Sequence, residues 1–270
     1  MNGFVELFGY QYFINALIAS LLTAISCGII GSYIVSKRMV FVAGGITHSS
    51  FGGIGIAYFL GFNPILGAGI FAIISGIGIE RFTKKADIRN DSVIAILWSL
   101  GMAIGIIFIY LTPGYAPNLM SYLFGNILTV NSFDLILLLI LSIIVILFFV
   151  FFYKKILFIS FDEEYAKSQN IKVGHFNYGL MILTALTIVL NIKLVGIILL
   201  ISLLTVPQNI ANLFTKDFKK IIFYSIAIAF FGSFSGLIIS YFLNIPSGAT
   251  IIFNLIFIYL IARVLRNFIK

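Results

Sequence analysis

One ionisable side chain, His48, lies deep within an apolar segment of this 270-residue chain. Ionisable groups inside such segments face a bundle interior or a water-filled path by default. Neutral imidazole is also a common ligand for transition metals. The plainer alternative is a packing histidine hydrogen-bonded to a neighbouring helix. Its surroundings are small residues: Gly44, Gly45, Thr47, Ser49, Ser50, Gly52, Gly53 and Gly55. Such residues let helix backbones approach closely, so this segment is expected at the centre of a bundle. Gly44, Gly45, Thr47 and Ser49 are then either beside a path or in helix packing.

A second constellation is the charged stretch from Ser160 to Asn170. Ser160 and Glu163 have the spacing of a capping box. Asp162, Glu163 and Glu164 fall in the first turn, where the helix dipole favours anions, and Asn170 suits the left-handed conformation that stops a helix. Tyr165 and Ala166 lie between them. The stretch predicts a short amphipathic helix, either a solvated connection or a docking element for a partner. Pro207 interrupts an apolar segment, freeing a carbonyl that Thr205, Gln208 or Asn209 can satisfy. His175 adjoins basic residues and reads as interfacial. A phosphate-binding G-x-x-x-x-G-K-[S/T] loop is absent, as are H-E-x-x-H and G-x-S-x-G. No catalytic constellation and no stable metal cage is expected, and the lone Cys27 excludes an intrachain disulfide.

The elements that position these residues are membrane spans. Hydrophobic residues make up 61 % of the chain and charged ones 10 %, with a mean hydropathy of +1.15. A bilayer core about 30 Å thick takes about 17–25 helical residues to cross. Nine segments fit: Tyr10–Val35, Val40–Leu60, Pro64–Ile79, Asp91–Tyr110, Ser132–Tyr153, His175–Asn191, Leu194–Phe214, Phe218–Leu243 and Gly248–Leu265. Residues Thr112 to Asn131 read as an external loop with a short interfacial helix, and Asn191 to Lys193 as a tight external turn. Sixteen of the 17 lysines and arginines fall in alternate connections, with Lys193 the exception. Basic residues are retained on the cytoplasmic side, so the net charge of +8 reports topology and not nucleic-acid binding. The chain reads as a single all-α polytopic membrane domain, residues 1–270, with about eight or nine spans, N-terminus outside and C-terminus inside. Glu6 without a basic n-region makes the first segment the expected insertion signal.

Several stretches, in order, resemble the integral membrane permease of bacterial ATP-binding-cassette (ABC) importers for zinc, manganese or iron. They are Gly31-Ser-Tyr-Ile-Val-Ser-Lys-Arg-Met39 leading to Thr47-His48-Ser49, Met120-Ser-Tyr-Leu-Phe-Gly-Asn126, Leu183-Thr-Ala-Leu-Thr187, Leu194-Val-Gly-Ile-Ile-Leu-Leu200 with Pro207, and Pro246-Ser-Gly-Ala-Thr-Ile251. The resemblance implies a multi-pass protein of the bacterial cytoplasmic membrane that translocates a divalent metal, zinc first, then manganese or iron. It implies a homodimer or pseudo-dimer with the pathway between subunits, ATP used on separate ATPase subunits, and an extracytoplasmic metal-binding protein. It makes Ser160 to Asn170 the ATPase-coupling helix, with no tightly bound cofactor. The family pattern is commonly Gly-Asp-x-x-x-His, whereas Gly44 stands at the Asp position here. The pathway ligand is thus reduced to His48, which weakens the case for Mn²⁺, an ion that favours oxygen ligands. The alternative is an ATPase-independent channel or secondary transporter, and a third reading is a membrane enzyme or scaffold. Dependence of uptake on ATP or on an ion gradient separates the first two.

Overall fold

A computed structural model describes residues 7–85, 89–113 and 125–269. They form ten helices: α1 (Gln11–Ser36), α2 (Val40–Leu60), α3 (Pro64–Lys85), α4 (Asn90–Leu111), α5 (Ser132–Phe161), α6 (Glu163–Ser168), α7 (Val173–Leu203), α8 (Val206–Phe214), α9 (Phe218–Leu243) and α10 (Ser247–Ile269). A 3-10 turn, Ile127–Thr129, precedes α5, and among the described residues there is no strand. Within Thr112 to Asn131, where a short interfacial helix is expected, residues 114–124 lie outside the described residues, and Met120 to Phe124 with them.

Among the described residues, eight helical runs are long and apolar enough to cross a membrane. One of them, Val173–Phe214, has 42 residues, about 63 Å if straight and roughly twice a bilayer core. It doubles back at Gly196, whose φ of 74° and ψ of 166° leave the helical region. Asn191 Oδ1 accepts a hydrogen bond from Thr23 Oγ1 at 2.6 Å, and Gln208 Nε2 donates to the Cys27 carbonyl at 3.0 Å. Thr23 and Cys27 are one turn of α1 apart, about 6 Å, whereas a straight helix would separate residues 191 and 208 by about 25 Å. Among the described residues the eight runs therefore give nine apolar arms, the two arms of this run counted apart.

The reversal falls later than the sequence suggests. Asn191 to Lys193 are helical, because their polar groups find partners inside the protein. Asn191 Nδ2 donates to the Thr187 carbonyl at 2.8 Å, and Lys193 Nζ reaches both carboxylate oxygens of Asp134 at 2.8 and 3.0 Å. Similarly, α3 continues past Ile79 to Lys85 and carries Glu80 with it. Glu80 and Asp134 are both buried, so carboxylates are enclosed near the two ends of the bundle, which hydropathy alone did not indicate.

The two ends sort by charge. Lys37, Glu80, Glu163 and Asn177 meet at the end that holds the basic connections. At the other end Asn15 Nδ2 donates to the Val130 carbonyl at 3.2 Å. There Tyr58, Asn63, Gly125, Asn126, Thr129 and Lys193 border a cavity of about 370 Å³. Among the spans α2 is the most enclosed and α10 the least. Glycine makes that enclosure possible. A methyl group at Gly53 would collide with the Gly67 carbonyl of α3, and one at Gly55 with the Gly105 carbonyl of α4. Backbone thus packs against backbone on both sides of α2. The outward faces of α5 and α10 carry Phe151, Val150, Phe253 and Leu260, as a lipid-facing surface does.

Candidate functional site

The small-residue face of α2 fixes the surroundings of His48. Thr47 Oγ1 donates to the Ala43 carbonyl at 2.6 Å, Ser49 Oγ to Ile46 at 3.0 Å and Ser50 Oγ to Thr47 at 2.6 Å. All three side chains are buried and engaged by carbonyls of their own helix. The imidazole of His48 instead turns toward α4 and lies flat on the indole of Trp98, with ring centroids 4.0 Å apart and planes 6° apart. Its Nδ1 is buried and has no hydrogen-bond partner among the described residues. An Nδ1 so placed can accept a proton or ligate a cation. Gly44 lies one turn before His48 on the same face, and a Cβ there would meet only the Trp98 ring, at 3.8 Å. Among the described residues, no three His, Cys, Asp or Glu side chains come together as a set that could hold a metal ion.

Trp98 is not among the residues that motif and spacing single out. Its signal was available: it is the chain's single Trp, and it lies in mid-span and not in the interfacial belt where membrane tryptophans concentrate. His175 is exposed in the first turn of α7, away from His48.

Pro207 is the second residue of α8. The helix has already broken at Leu204 and Thr205, so the proline starts a new helix, where its missing N–H matters least. The carbonyl four residues before it, Leu203, accepts from Gln208 Nε2 at 3.1 Å. The same nitrogen donates to Cys27 of α1, and the buried Gln208 sits where only Gly31 leaves room for it. Thr205 and Asn209 serve neighbouring carbonyls, those of Ile201 and Thr205.

The short helix between α5 and the first arm of α7 is present but capped differently. Ser160 Oγ donates to the Ile156 carbonyl at 2.7 Å inside the last turn of α5. Asp162 caps α6 instead, its Oδ1 accepting from the Tyr165 N–H at 2.9 Å. Serine lost the cap because α5 runs eight residues beyond Tyr153, and Ser160 is still helical there. Asn170, with φ of 56°, ends the element in the left-handed region. Asp162, Glu164 and Tyr165 are exposed, Ala166 is fully buried, and Glu163 is half-buried and turned inward. The side chains of this element are therefore divided between two faces.

The ABC 3 transport family is matched over residues 9–266. The chain is 39 % identical to a probable metal transport system membrane protein of Chlamydia pneumoniae, over 87 % of this chain and 82 % of that one. It is 35 % identical to the manganese transport system membrane protein MntC of Listeria monocytogenes, over 94 % of this chain and 90 % of that one. Among solved structures, PsaBC from Streptococcus pneumoniae in complex with Fab aligns with a TM-score of 0.85 at 30 % identity, covering 96 % of this chain and 95 % of that chain.

Proposed function

The chain belongs to the ABC 3 transport family as a membrane permease, and from that premise we propose that it carries a divalent transition metal ion into the bacterial cytoplasm. In this reading it is the multi-pass inner-membrane subunit of an importer, paired with a second copy of itself. Separate ATPase subunits supply the energy at the basic end, and an extracytoplasmic protein delivers the ion at the other. The observation that carries the reading is His48, an imidazole on the most enclosed span with one nitrogen unpartnered. A transported ion must be held well enough to shed water and weakly enough to leave, which a sparse site achieves and a closed four-ligand cage does not. Of the candidate ions zinc, manganese and iron, two have a specific argument, manganese and zinc. The name of the Listeria relative favours the first; an imidazole without its carboxylate favours the second.

The outward residues Glu164 and Tyr165 of α6 are the proposed contact with the ATPase. The test is uptake of Mn²⁺ and Zn²⁺ into proteoliposomes holding the permease with its ATPase subunits and delivery protein. Uptake should require ATP on the ATPase side. Uptake that persists without ATP and follows an ion gradient would overturn the proposal in favour of a secondary transporter.

A further inference from the structure

Glu163 and Ala166 are the two side chains of α6 that are not exposed, three residues apart and so on one face. Ala166 seats in an apolar nest with Ile159 and Val173, which is enough to hold a six-residue helix against the protein. Glu163 makes a different attachment. Its Oε1 accepts from Lys37 Nζ at the end of α1 and from Asn177 Nδ2 of α7 at 3.2 Å. Asn177 is buried, and its Nδ2 also donates to Glu80 Oε1 of α3 at 3.0 Å. The helix is thereby bonded through one carboxylate to the end of α1 and to α7, and through Asn177 to α3. Hydrogen bonds with an ionised partner are shorter and about twice as strong as neutral ones, and losing one member of an enclosed pair leaves an uncompensated charge. Glu80 belongs to α3, the helix whose Gly67 packs backbone to backbone on Gly53 of α2, one turn beyond His48.

We infer that Lys37, Glu163, Asn177 and Glu80 form the rigid linkage that carries displacement of α6 into α3 and α7, and through α3 to the span that holds His48. They are positioning residues: none touches the ion, and Glu163 faces away from the ATPase contact. The inference rests on the proposed role of α6 as the element facing an ATPase.

Its test compares Glu163→Gln, Lys37→Met and the exchange Lys37→Glu with Glu163→Lys in proteoliposomes of the complete importer. Mn²⁺ uptake and ATP hydrolysis are measured in the same vesicles, and retention of the ATPase subunits is measured on purification. Each single variant should lower the ions imported per ATP by about tenfold, a typical coupling magnitude, with the ATPase subunits still bound. The exchange should recover most of the coupling, because the ammonium brought to position 163 would face Glu80 and the Asn177 amide can turn its unpartnered Oδ1 to accept. Ions per ATP unchanged in both single variants would overturn the linkage. So would uptake and hydrolysis falling in parallel, the mark of residues that only hold the fold. Where a single variant fails to accumulate, an exchange that folds and binds the ATPase without recovered coupling overturns it equally. A wild-type permease that retains no ATPase subunit would instead remove the reading of α6 on which the linkage stands.

Discussion

Two residues decide whether the α2 face handles an ion. His48 presents an unpartnered nitrogen, and its substitution by leucine keeps an apolar helix of similar bulk. His48→Leu should abolish Mn²⁺ and Zn²⁺ uptake per folded transporter while oligomer and ATPase association persist; an unchanged value would eliminate the ligand role. Gly44 supplies the converse experiment. The space at its Cβ is bounded only by the Trp98 ring, so Gly44→Asp fits there and adds oxygen ligands one turn from the imidazole. Uptake of Mn²⁺ relative to Zn²⁺ should rise about tenfold, the effect of about 1.4 kcal/mol, because oxygen ligands suit the harder ion. An unaltered ratio would show that the two positions do not share an ion. The glycine, histidine and their common face were legible in the sequence. The stacking on Trp98 was not, because a contact between two helices leaves no periodic trace in either.

At the scale of elements, what polar residues do depends on partners the sequence does not display. Asn191 and Lys193 resemble turn residues, yet Thr23 and Asp134 satisfy them within the helix, and the turn passes to Gly196 in an apolar run. Glu80 resembles the end of a span, yet Asn177 holds its carboxylate inside one more turn. Ser160 and Asp162 both suit a cap, and the length of α5 chose between them. The spans themselves, and the central place of α2, were readable from run length and from its small residues. Two changes test elements directly. Ala166→Pro removes the bond from its N–H to the Asp162 carbonyl, 3.0 Å in the structure, and costs about 3 kcal/mol of helix stability. Uptake should fall with membrane insertion retained; full uptake with normal ATPase association would refute the docking role of α6. Gln208→Ala strips the Leu203 carbonyl, four residues before Pro207, of its donor and removes the bond to the Cys27 carbonyl of α1, costing about 1–3 kcal/mol. A lower midpoint of thermal unfolding in detergent is the expected result, and an unmoved midpoint would mean other donors take over.

For the whole molecule, the prediction is orientation. With Cys27, buried in α1, replaced by alanine, single cysteines at Asn63 and Asn244 should label from outside the cell, and one at Ser168 only after the membrane is opened. Asn118, beyond the described residues, should label with the first pair; labelling of it from the cytoplasmic face alone would invert the topology. This arrangement makes Lys193 the one lysine or arginine carried across the bilayer, a transfer that costs about 2.5–3.5 kcal/mol at the centre of a membrane helix. Its partner lies 59 residues earlier in the chain. Because synthesis runs from the N-terminus, Asp134 leaves the ribosome with α5 before the hairpin bent at Gly196 is made. The carboxylate is therefore in place when the ammonium arrives, and the chain's birth order, as much as its final packing, lets a single positive charge settle on the far side.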